Sequence, residues 1–371
     1  MKPVQLIEWD GFDARRFLDE HWQHTPLLIR GWLKPAALGI DQIVSATADS
    51  DLGSRLVVGS FENLDWLLEY GPFAEDDLPP LDRPYQSALV QDMDKKFPQV
   101  AELLEAFGFL PNWLIDDIMV SQAGPGGSVG PHVDAYDVFL VQAAGSRRWE
   151  LAGNFQPDLN EDFELAVLRN FKAETSCVTE PGDVLYVPPG IAHHGIAQGN
   201  SQTWSVGLRA PSSAELLSEL AAFLSEHEAR LPRLNPLKYD TDRAERIDQT
   251  LLQHARRLLT QAVQLDDDAL ISWLGQTLTA YRQWSPETES DEPPDMDPEP
   301  PLAFPPGTRL AWSDSGLLFV NGQQWDCPPE FAQTLCRTGC VEIWPEDETA
   351  RAVVEHLIEQ GELAGKKENN K

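Results

Sequence analysis

Between Ile118 and Ala210 the chain carries short alternating and fully apolar runs, IMVSQ, VFLVQ, RRWELA, DVLYVPP and TWSVGLRA. Gly- and Pro-rich turns such as GPGGSVGP and PPG separate them. Many short strands punctuated by turns predict a β-sandwich or barrel, and a double-sheet jelly roll would enclose inward-pointing side chains between its sheets. Upstream, FDARRFLDEHWQHTP reads as a helix that leads into a strand, LLIRGW, and a mixed region follows as far as FGFLPNWLIDD. The first 210 residues are therefore expected to be α+β.

The period changes after Ala210. Ser212 and Glu215 form a capping-box pattern ahead of AELLSELAAFLSEHEARL, in which Leu216, Leu220, Phe223 and Leu224 recur at helical spacing. A second stripe, Ile247, Leu251, Ala255, Leu258 and Ala262, predicts another helix, and DDDALISWLGQTLTAYRQW opens on acids that suit a helix N-terminus. Residues 211–284 thus read as a small helical domain whose apolar stripes pack on the main domain or on a second copy. Residues 285–306, SPETESDEPPDMDPEPPLAFPP, can neither propagate a helix nor enter a central strand, and read as a linker. In residues 307–371 the runs TRLAW, GLLFVNGQQWDC and VEIW predict strands, with a hairpin turn at Asn321 and Gly322, while PPEFAQTLC and ETARAVVEHLIEQ predict helices. That mixture suggests a winged-helix-like module.

Charge narrows the partners. Sixty acidic residues against 28 basic ones give a net charge of -32, which repels nucleic-acid phosphates and attracts cationic partners. The acidic EIWPEDETA segment argues for a protein partner over DNA for the C-terminal module. No apolar run has the length of a membrane span and the N-terminus lacks the apolar core of a signal peptide, so a soluble cytoplasmic protein is expected. Four cysteines are too few for a disulfide framework. Cys327, Cys336 and Cys340 lack paired Cys-x-x-Cys knuckles and read better as buried or half-buried thiols than as zinc ligands.

His132 and Asp134 stand two apart, so on a strand both project to one face and can hold one ion together. GDVLYVPPGIAHHG supplies a third donor after a strand and a tight turn, from His193 or His194. Two histidines and one carboxylate with open positions make the facial triad of non-haem iron(II) oxygenases. The other histidines, His21, His24, His227, His254 and His356, lie in polar, helical-looking surroundings without a carboxylate at ligand spacing. An organic-acid co-substrate also needs a cation, and Arg147 or Arg148 follows His132 by one hairpin; strand alternation points only one of them inward.

GPHVDAYDVFLVQAAGSRRWEL, EPGDVLYVPPGIAHHG and WSVGLRAPS together resemble the Jumonji-C-type, 2-oxoglutarate-dependent ribosomal oxygenases. The resemblance spans the chain and implies a Jumonji-C/cupin catalytic domain over residues 1–210, made of a double-stranded β-helix. It further implies helical dimerisation over residues 211–284 and a winged-helix-like domain over residues 307–371. Carried over by position, His132, Asp134 and His193, the histidine three past PPG, match the iron ligands. Arg147 matches the arginine that grips the 2-oxoglutarate carboxylate, and Ser121 a small polar position in that pocket. The family pattern carries a residue other than histidine at the position of His194.

The implied activity uses iron(II), 2-oxoglutarate and dioxygen to hydroxylate an arginine side chain of a basic protein of the large ribosomal subunit. A guanidinium substrate requires an acid and an aromatic face, for which Asp116, Asp117, Tyr136 and Asp137 lie near the site strands. Two alternatives stand beside it. A Jumonji-C oxygenase of other specificity, a histidyl hydroxylase or lysine demethylase, would keep the triad and change the cleft, and a non-enzymatic cupin would use its acidic surface for protein binding.

Overall fold

The computed structural model describes residues 4–62, 65–74, 78–160, 164–226, 233–234, 247–280 and 298–365. Residues 285–297 of the expected linker and His227 lie outside the described residues. The chain forms two compact units, one centred on residues 1–210 and the other drawing together residues 211–282 and 308–371.

In chain order the strands of the first unit are β1 (Ile7–Asp10), β2 (Leu27–Arg30), β3 (Ser54–Ser60), β4 (Asp65–Tyr70), β5 (Gln86–Val90), β6 (Ile115–Ala123) and β7 (His132–Val133). They continue with β8 (Asp137–Ala144), β9 (Arg147–Ala152), β10 (Thr175–Thr179), β11 (Val184–Val187), β12 (Ala192–Ala197) and β13 (Ser201–Leu208). Nine of them form one sheet in the order β1-β2-β11-β8-β13-β6-β5-β3-β4, and four form a second sheet, β10-β9-β12-β7. Among the described residues only β1 and β2 pair in parallel. Two mainly antiparallel sheets facing one another make the double-sheet, cupin-type arrangement that the strand-and-turn pattern predicts.

Strands β8 and β13 are buried along nearly their whole length, as expected of strands covered on both faces. Parity then sorts their side chains. Phe139 and Val141 of β8, with Val184 and Tyr186 of β11, join a core shared with Phe17 of α1 (Ala14–Glu20) and Ile43 of α2 (Ile40–Ala48). Helix α1 begins where Asp13 accepts a hydrogen bond from the Arg16 N–H at 3.0 Å. Val138, Leu140, Leu185 and Val187 face the other way and pack against Trp149 and Leu151 of the second sheet. The inner faces of the two sheets therefore close over a common interior, and every second residue of β6, β8, β9, β12 and β13 points into it.

In the second unit the Ser212–Glu215 box forms as the sequence predicts: the Ser212 N–H donates to Glu215 at 2.7 Å and the Glu215 N–H to Ser212 Oγ at 3.2 Å. Helices follow over Ser213–Glu226, Gln249–Ala262 and Asp267–Thr279. Of the predicted stripe, Leu251, Ala255, Leu258 and Ala262 are half-buried on Gln249–Ala262, whereas Ile247 precedes the helix and is exposed, as are Leu252 and Leu259. Helix Asp267–Thr279 packs on a three-stranded antiparallel sheet, Leu310–Ser313, Leu317–Val320 and Gln323–Asp326, so closely that a Cβ on Gly275 would come within 2.4 Å of the Phe319 ring. Asn321 and Gly322 both have positive φ, the geometry of a two-residue hairpin turn. Helices Pro329–Thr338 and Glu348–Glu359 complete the unit. The expected strand VEIW is not formed: pairing stops at Val341, Ile343 is exposed, and Pro345, which has no N–H to donate, follows at once. Cys327 and Cys336 belong to the apolar core of this unit, and burial pushes their thiols up to about 11 and about 12, against thiolate ligation.

Candidate metal centre and co-substrate pocket

His132 opens β7 and lies directly opposite His193 in β12. Their rings are 4.3 Å apart between centroids, and Asp134 Oδ2 lies 4.0 Å from His132 Nε2 and 3.5 Å from His193 Nε2. One ligand atom from each of the three falls within 4.8 Å of the others; among the described residues no other such group occurs. Each Nδ1 meets a backbone carbonyl, that of Gly130 at 3.0 Å and that of Ile191 at 3.1 Å. A carbonyl can only accept, so each Nδ1 carries the proton and each Nε2 keeps its lone pair for a metal. Burial, and then the neighbouring His132, push His193 down to about 4, which favours the neutral, ligating imidazole. The PPG turn is tied to the site because the Gly190 N–H donates to the Asp134 carbonyl at 2.9 Å.

His194 is one residue on and therefore on the opposite face of β12. Its Nδ1 lies 3.3 Å from Glu150 Oε2, and the rings of Phe61 and Phe171 enclose it. Of the two candidate third donors, only His193 joins the group. Parity separates the two arginines in the same way. Arg148 pairs with Glu150 on the outer face, whereas Arg147 is buried and points into the interior, where its Nη2 donates to Ser121 Oγ at 3.1 Å.

A cavity of about 300 Å³ joins these elements. It is lined by His132, Asp134 and His193, by Arg147 and Ser121, and by Asp116, Asp117 and Tyr136. Asp137 is a correction to the sequence expectation. It occupies the parity of Phe139, away from the cavity, and its carboxylate accepts from the Tyr186 hydroxyl and from Gln23 Nε2 at 3.4 Å. Asp117 accepts the Asp92 N–H at 3.1 Å, and burial raises its carboxyl to about 7. The Tyr136 phenol is raised by the same cause and stays protonated.

Other lining residues were not picked out by the sequence reading. Trp149 shares the parity of Arg147, lies 5.7 Å from its guanidinium, and packs on Gly195, where a Cβ would come within 2.4 Å of the indole. Its signal was present in RRWEL, two positions after Arg147. Arg55 reaches the cavity from β3, with Nη2 3.6 Å from Met119 Sδ, and nothing in its sequence neighbourhood marks it.

The donor set fits an iron(II) centre: two neutral imidazoles and one carboxylate on one side leave the remaining positions open to the cavity. The Arg147 Nε is buried without a hydrogen-bond partner, and no described carboxylate pairs with this guanidinium. Desolvation alone lowers it to about 10. A buried, unpaired guanidinium is costly, and a dicarboxylate held at the metal would satisfy it.

Comparison with known proteins agrees with this geometry. Residues 102–216 match the JmjC domain family. The chain is 37% identical over 223 residues to the ribosomal protein uL16 3-hydroxylase of Escherichia coli, and 36% identical over 237 residues to a probable ribosomal oxygenase of Haemophilus influenzae. The first alignment covers 57% of each chain, and the second 60% of this chain and 55% of the relative, so the matches span a little over half the length of these relatives. In three dimensions the chain is similar to the E. coli ribosomal oxygenase YcfD in complex with cobalt and 2-oxoglutarate, with a TM-score of 0.77 and 27% identity over 95% of this chain and 98% of that one. The stretch that matches the JmjC domain family, residues 102–216, carries the His132–Asp134–His193 group and Arg147, and the chain around it is similar in fold to the E. coli ribosomal oxygenase.

Proposed function

We propose that the protein is an iron(II)- and 2-oxoglutarate-dependent hydroxylase that acts on an arginine side chain of a large-subunit ribosomal protein, with uL16 as the substrate to test first. The observation that carries this reading is Arg147: a buried guanidinium with an unsatisfied Nε shares one cavity with the His132–Asp134–His193 donors. His132, Asp134 and His193 would hold the metal, and Arg147, steadied by Ser121, would bind the far carboxylate of 2-oxoglutarate. Together, iron(II), 2-oxoglutarate and dioxygen supply the oxidising power to hydroxylate an unactivated C–H bond.

The chain's own residues then bind and orient. Trp149, Val138 and Leu140 wall the co-substrate end with apolar surface that excludes water. Asp116 and Asp117 offer carboxylates to a substrate guanidinium, and Tyr136 offers an aromatic face. A basic ribosomal protein suits a chain of net charge -32. A ribosomal substrate would favour a cytoplasmic enzyme.

For the second unit, the reading is a helical dimerisation region followed by a winged-helix-like domain. Leu217, Leu252 and Leu259 are exposed on its helices, and helix Gln249–Ala262 buries no residue fully, which favours cover by a second copy.

Incubation of the protein with iron(II), 2-oxoglutarate and recombinant uL16 tests the function. Succinate formation with a gain of one oxygen on an arginine is expected. Oxygen on a histidine, or loss of a methyl from lysine, would reassign the cleft, and no 2-oxoglutarate turnover with any basic partner would sink the enzyme reading.

A further inference from the structure

The cavity wall at the start of β6 is held by the short segment from Asp92 to Lys95. Strand β5 pairs with β6 only as far as Val120, so beyond that point β6 loses its neighbour on this side. Asp94 stands in for the missing strand. The residue is 2% exposed, and its Oδ1 accepts the Ile118 N–H at 2.7 Å. Two residues earlier, Asp92 adopts the left-handed region at φ 59°, a conformation that Asp tolerates, and its N–H donates to Asp117 Oδ2 at 3.1 Å. Lys95 ties this short helical segment to β6, since its Nζ pairs with the Asp92 carboxylate and donates to the Asp116 carbonyl at 3.4 Å. Three consecutive residues of β6, Asp116, Asp117 and Ile118, are each gripped by this segment.

The grip leaves one oxygen of Asp117 available. Oδ2 is engaged by Asp92, whereas Oδ1 faces Gly207 of β13; a Cβ at 207 would meet it first, at 3.5 Å. Both residues line the cavity, and the absence of a side chain at 207 keeps the approach to Oδ1 clear. Crowding Asp92, Asp94 and Asp117 in a poorly hydrated region opposes folding, so the arrangement calls for a compensating use.

We infer that Asp94 is a positioning residue for substrate: with Asp92 and Lys95 it fixes the Asp117 carboxylate so that one oxygen is held by the backbone and the other is presented to an incoming guanidinium. The inference rests on the reading of the cavity as an arginine hydroxylase site. It separates two functions within one cavity, since Asp94 touches neither the metal donors nor Arg147.

The test compares two activities of the full chain, 2-oxoglutarate turnover without substrate and hydroxylation of recombinant uL16. Asp94→Ala is expected to raise KM for uL16 about ten-fold, the loss of one hydrogen bond in a charged network, and to leave KM for 2-oxoglutarate and the substrate-free turnover within about two-fold. Asp94→Asn retains an oxygen that accepts from Ile118 and should restore most of the KM. A merely structural role would lower both activities together, and that result, or an unchanged KM for uL16, overturns the inference. Should Asp94→Ala fail to fold, Lys95→Met is read by the same pair of assays: a selective rise in KM for uL16 supports the role and its absence overturns it. Wild-type turnover that leaves the arginines of uL16 unmodified would instead overturn the reading of the site, and this role with it.

Discussion

Arg147 and Ser121 meet across the interior of the jelly roll, Nη2 to Oγ at 3.1 Å, one residue from each sheet. The contact bridges the two walls of the cavity and uses a single donor of the guanidinium, so the others remain for an anion.

Arg147→Ala should therefore raise KM for 2-oxoglutarate by about a hundred-fold, the loss of a charge-assisted bidentate contact, while metal affinity changes little. Arg148→Ala, on the outer face with Glu150, should leave it unchanged. Titration of 2-oxoglutarate against succinate formation reads both variants, and the opposite ranking would show that the inward face of β9 has been misassigned.

The adjacent histidines make a second contrast. His132→Ala and His193→Ala should abolish turnover and metal retention, and a chelator should do the same to the wild type until iron(II) is restored. His194→Ala loses a contact to Glu150 behind the site and should keep its metal. Metal content per chain after gel filtration distinguishes the two; a metal-free His194→Ala protein would refute the assignment.

Asp117 predicts the pH response. Desolvation raises its carboxyl to about 7, so the folded chain keeps a proton that the unfolded chain releases near 3.8. The folded state binds more protons across that interval, so this group's contribution to stability is present at the acid end and declines as pH rises from about 4 through about 7. Substrate binding runs the other way, because only the ionised carboxylate attracts a guanidinium. KM for uL16 should fall between pH 6 and 8, and Asp117→Asn should flatten that fall. Asp92, Asp94 and Asp116 surround the carboxyl, and Arg55, Tyr136 and Arg209 line the same cavity, so the test compares the variant with wild type over one pH series.

Gly195→Ala drives a methyl into Trp149, since its Cβ would come within 2.4 Å of the indole. Overpacking of this kind costs about 1–3 kcal/mol. Because Trp149 lies against the Arg147 guanidinium, a weaker grip on 2-oxoglutarate should accompany a lower Tm. A variant with normal Tm and normal KM would show that the indole has room to move.

Alternation made much of the site legible in advance. His132 with Asp134, and one of Arg147 and Arg148, follow from a period of two on a strand, and the same rule reaches Trp149. What alternation alone did not give is phase. Asp137 is only one residue farther from Asp134 than Tyr136, yet its pairing opposite Leu208 fixes it on the helix side of the sheet, where Tyr186 and Gln23 bind it. Arg55 and the Asp92–Lys95 segment were beyond reach for another reason: they arrive at the cavity through β3 and the chain after β5, and only sheet order brings those beside β6. In the second unit the NG hairpin was readable because both turn residues require positive φ, whereas VEIW had the composition of a strand but pairs only at Val341, opposite Leu302, before Pro345 ends it.

The close fit of Gly195 against Trp149 also protects the chain from an error that its own composition invites. With two histidines in succession, β12 could slide by one residue and still offer an imidazole to the metal. Gly195 stands directly opposite Trp149 in the paired strands, and a slip would bring the side chain of His194 or Ile196 to that place instead. No β-carbon fits under the indole there. The glycine thus acts as a key cut for one alignment, rejecting the mispaired strand before iron is ever offered a choice between ligands.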